Sequence, residues 1–217
     1  MKPTEILVLG ATGQIGRHLL RKLTSRNFKV TAVTRNIHRK GYILKSQANA
    51  GWLNIIELET FDHKKLEGLF KNKDICINLI GVLNEKNKSS FNNMHCILPK
   101  TLAEISKENN LKQFIHVSAL GIENAIDSKY ASSKVNGENE IKKILNNYVI
   151  LKPSLVYSAD DKFTTMLMTM LKLFPIFPIY YQGKTTFHPI HVTDMCEIIE
   201  NVILSKIKGE TIECIGP

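Results

Sequence analysis

The sequence predicts an α/β fold in which a doubly wound parallel sheet is covered by helices on both faces. Three observations carry that prediction. Apolar, strand-like runs alternate with amphipathic helical patterns along the chain. The first run, Glu5-Ile-Leu-Val-Leu9, passes directly into a three-glycine turn, Gly10-Ala-Thr-Gly-Gln-Ile-Gly16, and then into a helix. The 217 residues, 43% hydrophobic and 23% charged, suffice for one substantial core and a small appended lobe.

The elements follow in order. Ile6–Leu9 is the first strand, and Ile15, Leu19, Leu20 and Leu23 share one face of the first helix. Val30–Val33 and Leu53–Leu58 are the second and third strands, and Asp62 caps a short helix through Phe70. Ile75–Ile80 is the fourth strand, stopped by Gly81, and residues 84–93 form a polar loop. A helix over Ile97–Ser106 closes at Asn109-Asn110, Phe114–Val117 is the fifth strand, and Lys129–Leu145 is a long helix. Val149–Leu151 is the sixth strand, ended by Pro153. Beyond it Phe163, Met166, Leu167, Met170, Leu171 and Phe174 form one helical stripe, expected to bury on the protein's own sheet. Pro175, Pro178 and the Tyr180-Tyr181 pair follow. Ile190–Val192 is a short strand, Asp194 caps a helix to about Leu204, and Thr211–Ile215 is a final strand.

The net charge of +9 comes from lysines dispersed among asparagines and isoleucines, with no arginine block and no interleaved aromatics. That pattern points away from nucleic acid and leaves weak attraction to an anionic membrane surface. Cys76, Cys96, Cys196 and Cys214 are scattered and read as free thiols of a reducing compartment, and no metal site is expected. His116 reads as a core histidine, and His188 and His191 as turn packing. The first strand begins within a few residues of Met1, and the most apolar stretch is interrupted by Lys172, Pro175 and Pro178. The expectation is a cytoplasmic protein, at most peripheral on the cytoplasmic face of the inner membrane.

The glycine turn carries the first chemical signal. Gly10 allows a tight bend, Gly13 removes a side chain where phosphates would sit, and Gly16 lets the helix lie close on the strand. The backbone through Thr12, Gly13, Gln14 and Ile15 then faces an anion at the positive end of the helix, the Rossmann-type arrangement for a dinucleotide pyrophosphate. The sequence is accordingly divided into an NAD(P)-binding domain over residues 1–157 and a small lobe over 158–217. The lobe is expected to pack on the carboxyl ends of the strands, within the same structural unit. After the second strand, Arg35 stands where an acidic residue would favour NAD. Its guanidinium suits a 2′-phosphate, Arg17 could reach the same group, and NADP(H) is favoured over NAD(H). Glu59 and Asp62, at the exit of the third strand, are both candidates for the adenine amino group, and Gly81 offers a second close approach of backbone to cofactor.

The second signal is Ser118 at a strand end, followed by Tyr130 and Lys134 four residues apart on one helical face. A lysine near a phenol is expected to lower its pKa, so that Tyr130 exchanges a proton with a carbonyl or alcohol oxygen while hydride moves to or from a nicotinamide. Ser118 would hydrogen-bond the same oxygen.

These features together, with Pro153-Ser154, resemble the atypical and extended short-chain dehydrogenase/reductases. Ile77-Asn-Leu-Ile-Gly81, Phe114-Ile-His-Val-Ser-Ala-Leu-Gly121, the run from Ser128 through Tyr130 and Lys134 to Gly137-Glu138, and Asp161-x-Phe163 resemble one branch more closely. That branch is the NADPH-binding accessory subunit of respiratory complex I and its bacterial relatives. The resemblance implies that Gly10, Gly13, Gly16 and Arg35 bind the dinucleotide, that Ser118, Tyr130 and Lys134 occupy catalytic positions, and that Pro153 and Ser154 pass beside the nicotinamide. Lys152 stands where the wider family has arginine, and Ser158 where it has glycine. A cofactor-holding or assembly role among complex I subunits is thus one reading. An NADP-dependent oxidoreductase or epimerase-like enzyme acting on a carbonyl or hydroxyl substrate, lipid or quinone-like, is the alternative. A sensor of the NADP(H) redox state is a third.

Overall fold

A computed structural model describes residues 2–85, 90–174 and 186–217 of the chain. Seven parallel strands make the central sheet: β1 (Glu5–Leu9), β2 (Lys29–Thr34), β3 (Leu53–Glu57), β4 (Ile75–Asn78), β5 (Gln113–Val117), β6 (Tyr148–Pro153) and, last in sequence, β9 (Glu210–Cys214). Their order is β3-β2-β1-β4-β5-β6-β9. A two-stranded parallel ribbon, β7 (Val156–Tyr157) with β8 (Ile190–His191), stands apart from it. The helices are α1 (Gln14–Ser25), α2 (Ile37–Ser46), α3 (His63–Phe70), α4 (Leu98–Glu108), α5 (Lys129–Ile144), α6 (Lys162–Leu173) and α7 (Val192–Ser205).

Side-chain alternation along the strands divides the core into two layers. Ile6 and Val8 of β1, with Ile75, Ile77, Ile115, Val149 and Leu151, meet Leu19, Leu20 and Leu23 of α1 and Met195, Ile199 and Val202 of α7. Leu7, Leu9, Cys76, Phe114 and Ile150 face the other way, onto α3, α4 and α5 through Leu66, Phe70, Leu102, Ile105 and Ile141. Each such aliphatic or aromatic side chain, fully buried, contributes about 1.5–3 kcal/mol. Truncating the fully buried Phe114 would cost about 3–5 kcal/mol, because the emptied space cannot wholly collapse.

Four features depart from the sequence expectations. Helix α2 was not foreseen. It buries only Gly41 and Leu44, so its apolar periodicity is faint, although Asn36 caps it by accepting a hydrogen bond from the Arg39 amide at 2.8 Å. The polar stretch before α4 is partly wound into a π-helical turn over Asn93–Ile97. Asp194 lies in the first turn of α7, and the cap is His191, whose Nδ1 accepts from the Thr193 amide at 3.3 Å. The stripe on α6 is not buried: Phe163, Met166, Leu171 and Phe174 are all exposed, and no described side chain of the helix is buried. The prolines and tyrosines expected after it lie outside the described residues. Within residues 158–217, β9 extends the sheet alongside β6 and α7 packs on α1, so this stretch supplies core as well as the exposed helix.

Candidate functional site

The strand order reverses between β1 and β4, and the crevice that opens there, beyond the carboxyl ends of the strands, is where open α/β sheets take ligands. Gly10 ends β1 at this point with φ of +80°, and a Cβ there would stand 2.8 Å from the Leu79 carbonyl carbon. The bend after β1 therefore passes directly against the chain leaving β4. A Cβ on Gly16 would lie 2.6 Å from both the Ala11 Cα and the Gly10 carbonyl oxygen, so α1 starts in contact with the turn it follows. Gly13 is exposed and Thr12, Gln14 and Ile15 are half-buried, leaving an open backbone cradle at the amino end of α1.

Beside this cradle lies a cavity of about 350 Å³ lined by Thr12, Thr34, Arg35, Asn36, Arg39, Lys40 and Ile43. Three cations and no carboxylate surround it. Arg17 is turned elsewhere. Its Nη2 pairs with Asp160 Oδ2 at 2.8 Å, while Gln14 Nε2 donates to Ser158 Oγ at 2.9 Å. The Gly-rich turn is thereby clasped to the segment that enters α6. Glu59 and Asp62 are exposed beyond the end of β3. Asp62 occupies the N-cap position of α3, accepts from Thr60 Oγ1 at 2.6 Å and pairs with Lys65 at 3.3 Å.

On the far side of the switch point, Ser118, Tyr130 and Lys134 belong to the end of β5 and the first turns of α5. Lys134 Nζ stands 5.7 Å from the centroid of the Tyr130 ring, and it is buried. Burial holds its pKa down to about 8, with the Glu138 carboxylate acting in the opposite sense. The expected lowering of Tyr130 is not found: burial pushes the phenol up, and Lys134 Nζ lies over the ring. Ser118 Oγ donates to Glu138 Oε1 at 2.5 Å.

Two buried histidines hold the backbone of this half. His95, in the π-helical turn, accepts from the Val82 amide through Nε2 at 3.0 Å. Its Nδ1 must then carry the proton, donated to Ser133 Oγ at 3.0 Å, and Ser133 donates in turn to the Tyr130 carbonyl at 2.7 Å. Burial, then the nearby Lys134, pushes His95 down to about 4. His116 is a core histidine as expected, fixed by Asn78 Nδ2 at 3.1 Å and held down to about 3 by burial. Asn78 Oδ1 also accepts from the Ile80 amide at 3.1 Å. The chain from Ile80 to Val82, with Gly81 between, is thus pinned at two amides, and a Cβ on Gly81 would lie 3.7 Å from Lys134 Nζ. Pro153 ends β6 opposite Cys214, and Ser154 is tied through its amide to the Cys214 carbonyl at 2.9 Å and through its hydroxyl to the His188 carbonyl. Sequence reasoning missed His95 and the partnership of Glu138. Glu138 ends the run that begins at Ser128 and lies one helical turn beyond Lys134, but neither signal points to Ser118 as its partner.

A family model described as NAD(P)H-binding matches residues 10–171, which spans the cradle, the cationic cavity and the Ser118–Tyr130–Lys134 group. The chain belongs to the NAD(P)H-binding family. Among curated relatives, this NAD(P)H-binding protein is 28% identical over 212 residues to mitochondrial NADH dehydrogenase [ubiquinone] 1 alpha subcomplex subunit 9 of Mus musculus. The match covers 97% of this chain and 56% of that protein. It is 25% identical over 193 residues to ceramide reductase of Caulobacter vibrioides, covering 87% of this chain and 57% of the relative. The chain therefore spans a little over half the length of these relatives. Among solved structures, dTDP-glucose 4,6-dehydratase (DesIV) of Streptomyces venezuelae, with NAD bound, superposes with a TM-score of 0.80 at 19% identity, covering 98% of this chain and 76% of that one. A putative NAD-dependent epimerase/dehydratase of Bacillus halodurans gives 0.75 at 18%, covering 99% and 94%. These two share the fold. Among the described residues, no helix is long and apolar enough to cross a membrane, and no cluster of metal-ligating side chains occurs.

Proposed function

We propose that the chain is an NADP(H)-holding protein with a role like that of the complex I accessory subunit it resembles, docking among other subunits while the nucleotide stays bound. The carrying observation is the cavity beside the glycine cradle, where Arg35, Arg39 and Lys40 meet with no carboxylate to accept a ribose hydroxyl. In this reading the pyrophosphate lies against the backbone from Gly10 to Gly16, a bend that side chains at Gly10 or Gly16 would force apart by meeting the Leu79 and Ala11 backbone. Arg35 holds the 2′-phosphate, Glu59 or Asp62 meets the adenine, and Gly81, Pro153 and Ser154 border the nicotinamide. Arg17 supports the cradle through Asp160 rather than by touching phosphate. Replacing Arg35 by Ala should weaken NADPH binding about 10- to 100-fold, as loss of a charge-assisted hydrogen bond implies, and leave NADH nearly unchanged. Titration calorimetry with both nucleotides reads this, and equal losses would defeat the 2′-phosphate assignment.

A second reading, an oxidoreductase acting on a carbonyl or hydroxyl substrate, is favoured by Ser118 following β5 at its carboxyl end and by Tyr130 and Lys134 one helical turn apart on α5, with Lys134 Nζ 5.7 Å from the Tyr130 ring. The reductase among the relatives supports it. Bound there, the nicotinamide would supply hydride. Tyr130 would carry the proton at the reacting oxygen, and Lys134, held low by burial, would supply positive charge beside it.

A further inference from the structure

The hydroxyl of Ser118 has one proton, and the structure accounts for it: Oγ donates to Glu138 Oε1 at 2.5 Å. Both partners are buried, at 5% and 3% of their free exposure, so water does not compete for the contact. The other oxygen of Glu138 is held by Lys152 Nζ at 3.0 Å, with Lys142 Nζ at 4.0 Å, and Lys152 is itself shared with Glu123. A carboxylate clamped by a lysine on one oxygen accepts strongly on the other. What Ser118 has left for a ligand is its pair of acceptor sites.

We propose that Glu138 is a positioning residue that fixes the polarity of Ser118, so that the serine meets a reacting oxygen as hydrogen-bond acceptor and the site preferentially holds an O–H group, an alcohol, rather than a carbonyl. This rests on the assignment of Ser118 to the nicotinamide wall. It also gives Lys152 a purpose: from β6 its ammonium stands 3.0 Å from the second carboxylate oxygen and holds the side chain of Glu138 in place. A carbonyl ligand would need Ser118 to donate, which takes its one proton away from Glu138 and leaves the carboxylate oxygen facing a serine lone pair. Burial pushes this carboxyl up, while Ser118, Lys142 and Lys134 hold it back, so its titration reports the contact directly. The charged groups around it are Lys134 and Lys142 on its own helix, Lys152 on β6, Glu123 on the turn before α5, and Glu213 on β9 beside Lys152.

The experiment is carbon-13 NMR of the full chain labelled at glutamate Cδ, with the Glu138 signal identified by its loss in Glu138→Gln. Replacing Ser118 by Ala removes a hydrogen bond that stabilises the ionised form, and the Glu138 midpoint should rise by about one to two pH units. Ser118→Thr keeps the hydroxyl and should restore the wild-type midpoint. An unchanged midpoint in the alanine variant would overturn the proposal. Should that variant not fold, a deuterium isotope shift on the wild-type Glu138 carboxyl in heavy water reads the same proton, and its absence would be equally fatal. NADPH titration of the same samples separates the two layers of inference. Loss of nucleotide binding in the wild type would remove the functional reading, while the Ser118–Glu138 contact would stand or fall on the NMR alone.

Discussion

The two halves of the crevice are built on opposite principles. Around β1, β2 and α2, the groups facing the crevice are backbone amides and exposed cations, with Arg35, Arg39 and Lys40 all open to water. Around β4, β5 and α5 the polar groups are buried side chains in closed hydrogen-bond chains: Asn78 with His116, His95 with Ser133, and Ser118 with Glu138. Solvated charges reach for an anion through a screened field, and the fold tolerates their substitution one at a time even where the ligand does not. Buried polar groups are coupled, so removing one strands its neighbours without partners. The first half is suited to holding a ligand, and the second to setting protonation states beside it.

Substitutions can break or sharpen this contrast. The largest effect is expected at Gly10, where the halves touch. Gly10→Val forces a β-branched residue into positive φ and against the Leu79 backbone, and should cost about 3 kcal/mol or more in urea unfolding and abolish nucleotide binding. Next, Tyr130→Phe should lower any turnover about 10²- to 10⁴-fold, with NADPH affinity from calorimetry within about a factor of two of wild type. Unaltered cellular function in that variant, alongside failure of a cradle variant, would leave the holding role and dismiss the enzyme.

Alkaline stability tests the buried half more gently. Lys134 titrates at about 8 in the fold against 10.5 ordinarily, so between those values the unfolded chain binds the additional proton. Its contribution makes stability rise as pH climbs through that window, and Lys134→Met should flatten the rise in urea titrations at pH 8 and pH 10. The smallest effect is expected for Asp160→Asn. The Arg17–Asp160 pair is half exposed, and its loss should change stability by at most about 1 kcal/mol and nucleotide affinity by a few-fold.

The same contrast governs how much could be read from the sequence. Strands buried on both faces announce themselves as apolar runs, and the glycine spacing of residues 10–16 is local, so the sheet and the cradle were legible. Helix α2 was not, because a helix that lies on the surface and buries two residues leaves almost no periodic signal. The acidic partner of Ser118 lies twenty positions away, with its counter-cation on yet another strand, and only the folded chain brings them together. The behaviour of Tyr130 escaped for a related reason. Four-residue spacing places a lysine beside a tyrosine, but whether the ammonium meets the oxygen or the ring face is decided by packing.

Helix α6 has a practical consequence for anyone handling the purified chain. With Phe163, Met166, Leu171 and Phe174 open to solvent, the native protein will itself light up hydrophobic dyes such as ANS and cling to detergent micelles. Dye-based melting curves will then start from a high baseline. Unfolding is better followed by circular dichroism or by the emission of the single tryptophan, Trp52, which stands next to β3 at the opposite edge of the sheet from β9.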